Sequence, residues 1–148
     1  MLKRAITHHK PCLIIIATET PSLCERLITY FQKQLEQDAH CEMLNLTPED
    51  TEFLHTLIQR ENQIPKEKPS VYLVTGIERT PETLNHSNLY RNLIESYALR
   101  IIVWTDEATY KFLPFEAPDF FSYRTDSIFF NDEQLVQTKI AETRSTPT

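Results

Sequence analysis

The chain has 148 residues, a formal net charge of −6, 41% hydrophobic residues and three cysteines. A chain of this length buries about 68–70% of its unfolded surface, enough for a core without staples, and its acidic balance argues against a nucleic-acid surface, where affinity comes from clustered lysine and arginine. Cys12, Cys24 and Cys41 form neither a CxxC pair nor an even set, which reads as reduced thiols in a cytoplasm, and no apolar run approaches the roughly 18 residues of a membrane span.

In chain order, the stretch after Lys3 and Arg4 lacks a cleavage site and is not a signal peptide. Cys12 to Ala17 is an apolar run that reads as a buried strand. Leu23, Leu27, Phe31 and Leu35 then recur at helical spacing, predicting a helix from about Pro21 to Asp38. Glu42 to Leu46 is the second strand, and Phe53, Leu54, Leu57 and Ile58 mark a helix over about Pro48 to Gln63. Pro65 and Pro69 bracket a polar connection around Lys66, Glu67 and Lys68, before a third strand, Val71 to Thr75, that ends at Gly76. Leu84, Leu89, Leu93, Ile94 and Tyr97 suggest a third helix, weakened between Asn85 and Asn88. Ile101 to Trp104 is the fourth strand, and Asp106 to Leu113 is a short helix ended by Pro114. An aromatic-rich loop, Phe115 to Arg124, leads to a short strand, Ser127 to Phe130. Asp132 to Glu142 closes the chain as a helix through Leu135, Val136 and Ile140, with a solvated, disordered tail over 143–148.

Thr20-Pro21, Thr47-Pro48 and Thr80-Pro81 each stand between a strand and a helix. Threonine caps free helical N–H groups and proline is pre-set for the first helical position, so the helices are expected to start at the carboxyl ends of the strands. Near-continuous apolar strands alternating with amphipathic helices mean a sheet covered on both faces. The expectation is one α/β domain over 1–142, a three-layer sandwich around a mainly parallel five-stranded sheet with P-loop NTPase-like topology.

In such folds the turn from the first strand into the first helix cradles phosphate, using glycines for backbone curl and a lysine followed by Ser or Thr for charge and magnesium. Gly76 is the only glycine in the chain. Thr18 to Glu25 contains no glycine and no lysine, and it places Glu19 and Glu25 where a phosphate would sit. Nucleotide binding is therefore not expected.

Val71 to Arg79, Asn88 to Arg91, Arg100 to Ala108 and Ala117 to Arg124 together resemble the ATPase-like domain of bacterial STAND-type proteins, in which a W-x-x-E strand end is followed by an A-P-D-F segment. The likeness spans about Cys12 to Phe130 and is greatest to the degenerate, inactive branch found in conflict and antiviral signalling. It departs from active members at both functional strands, with no Walker A sequence and with Thr75-Gly76 where an aspartate would hold magnesium. The resemblance implies a docking or regulatory role without catalysis and without a cofactor.

Other residues offer chemistry that competes with ordinary structural roles. Glu19, Glu78, Asp106 and Glu107 belong near the carboxyl edge of the sheet, where they either bind magnesium or simply favour helix N-termini, and the second role is the expected one. A phospho-receiver wants an aspartate ending the third strand, where Thr75 stands. His8, His9, His40, His55 and His86 show no HxxxH or HExxH spacing, and Ser22 and Ser70 lack a nucleophile motif. A thiol at the helix start, Cys24, is a reactive-cysteine candidate opposed by Glu25. Arg79 and Arg91 are candidate anion ligands with solvated helix positions as the alternative.

Phe112, Phe115, Phe120, Phe121, Tyr123, Phe129 and Phe130 crowd one stretch, and most must be core. A two-residue alternation sets Phe121 and Tyr123 opposite Phe120, so these two are the expected partner-binding anchors. The function expected is a non-catalytic protein-interaction module in the cytoplasm, docking a protein partner in bacterial signalling or defence, with no nucleic acid, membrane, metal or cofactor. The alternative is an unconventional nucleotide switch or a metal enzyme using the acidic rim.

Overall fold

The computed structural model describes residues 10–63, 68–79 and 81–131. The helix and tail expected over 132–148, the Thr80 cap, His8, His9, Pro65, Lys66, Glu67 and the side chain of Arg79 lie outside the described residues.

Five strands form one sheet: β1 (Cys12–Thr18), β2 (His40–Asn45), β3 (Ser70–Thr75), β4 (Arg100–Asp106) and β5 (Asp126–Phe130). Every pairing is parallel, and the order is β2-β3-β4-β1-β5. β4 is thus inserted between β1 and β3, and β1 is flanked on its other side by β5. This α/β arrangement is P-loop NTPase-like. All seven residues of β1 are buried, as a central parallel strand covered on both faces requires.

One face of the sheet presents Ile14, Ile16, Val71, Leu73, Ile102 and Trp104 to α1 (Pro21–Leu35), whose stripe of Leu23, Leu27 and Leu35 is buried on them. The opposite face presents Leu13, Ile15, Tyr72, Val74, Ile101 and Val103. It is covered by α2 (Phe53–Gln63), α3 (Pro81–Leu89), α4 (Asn92–Ser96), α5 (Glu107–Glu116) and α6 (Pro118–Ser122), which contribute Phe53, Leu57, Leu84, Ile94, Leu113 and Phe120. The result is three layers. No helix among the described residues is long and apolar enough to cross a membrane.

Four local expectations are corrected. Thr47-Pro48 does not start a helix: the Thr47 N–H donates to Asp50 Oδ2 at 2.8 Å, closing an exposed turn, and α2 begins only at Phe53. The third helical pattern splits at Tyr90 and Arg91 rather than between Asn85 and Asn88, because Arg91 Nη1 donates to the Asn88 carbonyl at 3.0 Å, the acceptor a continuing helix would use. Pro114 lies inside α5, since in the last turn its missing N–H forfeits only one bond, to the Tyr110 carbonyl. The stretch expected as an aromatic loop contains α6, with Pro118 at its start and a cap supplied from α3, where Asn88 Oδ1 accepts from the Asp119 and Phe120 N–H groups at 2.7 and 3.1 Å.

Gly76 has φ 91, so the one glycine sits where a side chain would clash, turning β3 into the 3-10 turn Ile77–Arg79. Ala98 takes a similar conformation, φ 50, to end α4.

Candidate functional site

The carboxyl ends of β1, β3 and β4 open into a cleft of about 680 Å³. Its floor includes Thr18, Thr105 and Trp104, all buried, and its walls carry Ile28, Met43 and Cys24. Its rim carries Glu19, Glu25, Glu78 and Asp106, and among the described residues neither lysine nor arginine lines it. That volume falls within the range of roughly 300–1,000 Å³ typical of small-ligand sites, at the edge where open α/β sheets bind their ligands.

The turn from β1 into α1 is short and hydrogen-bonded to its surroundings. Only Glu19 and Thr20 separate β1 from α1. The Glu19 N–H donates to the Phe130 carbonyl at 3.0 Å, which ties the turn to β5. At the helix start, Thr20 Oγ1 accepts from the Leu23 N–H at 3.1 Å and the Thr20 carbonyl accepts from the Cys24 N–H at 3.1 Å. The amides of Glu19, Leu23 and Cys24 thus already have protein acceptors, and Pro21 has none to give.

The rim carboxylates differ in their engagement. Asp106 caps α5 through Oδ1, accepting from the Thr109 N–H at 2.7 Å. Glu78 Oε2 accepts from Thr105 Oγ1 at 3.3 Å, and across the cleft Thr75 Oγ1 donates to Asn45 Oδ1 at 2.7 Å. Glu107, expected in this group, instead pairs with Lys111 at 3.1 Å within α5, whereas Glu25 joins the rim from the first turns of α1. No group of three or more His, Cys, Asp or Glu among the described residues is placed to hold a metal ion.

Trp104 is the cleft's most unusual neighbour. It is 1% exposed and meets Phe31 edge to face at a centroid distance of 5.5 Å, and its indole Nε1 has no hydrogen-bond acceptor among the described residues. A buried donor left unpaired costs about 1–3 kcal/mol, so such an atom at a cleft floor calls for an explanation. Cys24 is not activated by the helix start, because burial pushes its thiol pKa up and Glu78 and Glu25 add to the rise against a hydrogen bond from Thr18.

The aromatic segment is arranged differently from its expectation. Since 118–122 is helical, the two-residue alternation does not apply, and Phe121 and Tyr123 are half-buried against the core. Phe121 lies under the Arg124 guanidinium, 3.8 Å from its centroid, and 6.1 Å from the Tyr110 ring, while the Tyr123 hydroxyl donates to Glu95 Oε2 at 3.4 Å. The rings that do reach solvent are Phe112 and Phe115 on α5, 58% and 81% exposed. Their three-residue spacing makes them neighbours on one helix face.

A second cluster was invisible to sequence spacing. His55 of α2 and His86 and Tyr90 beside it bring three rings together at centroid distances of 4.5 to 5.2 Å, with His86 Nε2 3.5 Å from Glu52. Arg91, a candidate anion ligand, is used on the Asn88 carbonyl and lies 3.8 Å from Asp119.

No protein-family model matches the chain, and no curated protein matches it. Among solved structures, it is similar to a chain in a structure of Drosophila ORC bound to AT-rich DNA and Cdc6, at 10% identity and a TM-score of 0.49, covering 99% of this chain and 61% of that one. It is also similar to a chain of Drosophila ORC bound to GC-rich DNA and Cdc6, at 8% identity and a TM-score of 0.47, covering 88% of this chain and 54% of that one. The chain thus spans less than two thirds of the length of either neighbour.

Proposed function

We propose that this chain is a non-catalytic interaction module, a P-loop-like fold whose nucleotide position has been given over to other contacts. The observation that carries the reading is the cleft: Glu19, Glu25, Glu78 and Asp106 line the position where a nucleotide's phosphates need lysine and free amides. The resemblance to inactive STAND-type domains supports the same role, docking a protein partner in bacterial signalling or defence. The aromatic segment is the docking element in this reading, with the exposed Phe112 and Phe115 as its anchors and Phe121 and Tyr123 holding the segment in shape.

Two measurements test it. Magnesium complexes of ATP, ADP and GTP are expected to leave the thermal midpoint unchanged, whereas a ligand at 100 times its Kd adds about 2.7 kcal/mol, which a melting curve registers. The double variant Phe112→Ser with Phe115→Ser is expected to melt like the wild type, since surface changes usually stay within about 0.5 kcal/mol. It should lose the protein that the wild type retains from the native host. A nucleotide-dependent rise in midpoint, or undiminished capture by the double variant, would overturn the proposal.

A further inference from the structure

We infer that His86 is the acid-sensitive part of a latch on α6: a proton added to its ring uncouples the end of α3 from α2 and releases the cap that Asn88 gives to α6. As a control on docking, the latch rests on reading the aromatic segment as the docking element.

The geometry supplies the coupling. His86 and Asn88 both stand in the last turn of α3, and the Tyr90 N–H donates to the His86 carbonyl at 3.0 Å, which ties that turn together. On one side the turn meets α2, with the His86 ring 5.0 Å from that of His55 and 4.5 Å from that of Tyr90. On the other side Asn88 Oδ1 accepts from the Asp119 and Phe120 N–H groups at 2.7 and 3.1 Å. A helix of five residues does not stand without such support. α6 carries Phe121 and leads directly from α5, where Phe112 and Phe115 are exposed.

The chemistry supplies the sign. His86 Nε2 lies 3.5 Å from Glu52 Oε1, so the neutral ring carries its hydrogen there and leaves Nδ1 bare. Nδ1 is shielded from solvent and has no hydrogen-bond partner among the described residues. A bare nitrogen is tolerated there, but protonation makes it a charged donor without an acceptor. The surrounding groups do not offset this. Glu52, just before α2, has a side chain 67% exposed and attracts the charge only through water, while Tyr90 favours a cation modestly. His55 on α2 repels a charged ring when it is itself protonated. Glu82, one turn earlier on α3, is exposed, and Asp119 on α6 is engaged with Arg91 at 3.8 Å. Burial accordingly holds the His86 pKa below the ordinary histidine value, with Glu52 opposing and His55 adding to the effect. The latch is closed at neutral pH and opens as pH falls below about 6.5, when the charged ring leaves its place for water and the turn bearing Asn88 follows.

Backbone amide exchange of the full chain, followed by NMR at about pH 7.5 and about pH 5.5 and expressed as protection relative to the intrinsic rate, reads the latch without a partner. Protection of the Phe120 amide is expected to fall at least tenfold at the lower pH while the Ile15 and Val103 amides in the sheet keep theirs. The midpoint of that fall should match the titration of the His86 ring in the same sample. His86→Gln should hold the Phe120 amide at its neutral-pH protection at both values, and Asp119→Asn should leave the acid response in place. An unchanged Phe120 amide, a parallel loss at Ile15 and Val103, a midpoint apart from that of His86, a response that persists in His86→Gln, or one that vanishes in Asp119→Asn would overturn this inference alone. Undiminished capture of the host protein by the Phe112→Ser, Phe115→Ser variant, with the Phe120 amide responding as expected, would overturn the proposed function and leave the latch standing.

Discussion

His86 shows how a single side chain acquires a property from its neighbours. Burial pushes its pKa below the ordinary histidine value, with His55 adding to the effect and Glu52 opposing it. The ring is 4.5 Å from Tyr90 and 5.0 Å from His55, and Glu52 lies 3.5 Å from Nε2. A depressed folded pKa means that the neutral ring is the one the fold prefers. Its contribution is present above the unfolded value of about 6.5 and is lost as pH falls through the lower folded value. Stability to urea is therefore expected to decline below about pH 6.5, and His86→Gln should make that decline shallower. Parallel acid slopes for variant and wild type would count against His86 as the cause. A second buried group works by hydrogen bonding: the Tyr72 hydroxyl donates to Glu61, and Arg100 Nε donates to the Ser70 carbonyl at 3.0 Å, so three polar side chains are buried with partners. Neither cluster was legible in the sequence, because each joins residues on elements that only the fold makes adjacent.

At the level of elements, periodicity located most helices and strands, and punctuation located only some of their ends. Thr20 and Thr47 are both followed by proline, yet only Thr20 caps a helix. Thr20→Ala is expected to cost about 1 kcal/mol, within the range of roughly 0.5–2 for a lost cap. Thr47→Ala, in an exposed turn, should stay within about 0.5 kcal/mol. Chemical denaturation of the two variants side by side decides it, and equal losses would show that Thr47 organises more than its turn. The same limit explains α6. Its residues, Pro118 to Ser122, look like a loop because five residues cannot nucleate a helix alone, and the acceptor that starts it, Asn88 Oδ1, lies on α3. The anchors Phe121 and Tyr123 were assigned on strand periodicity, and helical geometry instead turns Phe120 fully inward and leaves these two half-buried.

At the scale of the molecule, the two cores lie on opposite faces of one sheet and share its strands: Leu13 and Ile15 serve one, Ile14 and Ile16 the other. Losing either face exposes the same backbone ladder, so the faces are expected to unfold together. Leu27→Ala under α1 and Leu57→Ala under α2 should each cost about 2–5 kcal/mol. In both variants the transition followed by Trp104 emission should coincide with that followed by far-ultraviolet circular dichroism. Separate midpoints would show that the faces are independent.

The sequence by itself determined the α/β rhythm, the burial of the central strands and a first strand-to-helix turn free of glycine and lysine. These follow from local facts: the unbroken apolar runs at Cys12 to Ala17, Val71 to Thr75 and Ile101 to Trp104, the helical spacing of Leu23 to Leu35, and the absence of glycine and lysine between Thr18 and Glu25. Glu19, Glu78 and Asp106 were also placeable at the carboxyl edge, since each follows or ends a strand. Only the tertiary structure decided that Glu25 joins them while Glu107 turns to Lys111, that Trp104 forms the floor with its N–H unpaired, and that Phe112 and Phe115 rather than Phe121 and Tyr123 reach solvent. Spacing along a chain fixes the direction of a side chain relative to its own element, but its neighbours depend on strand order and on which helix lies across it, and those are set by long-range packing.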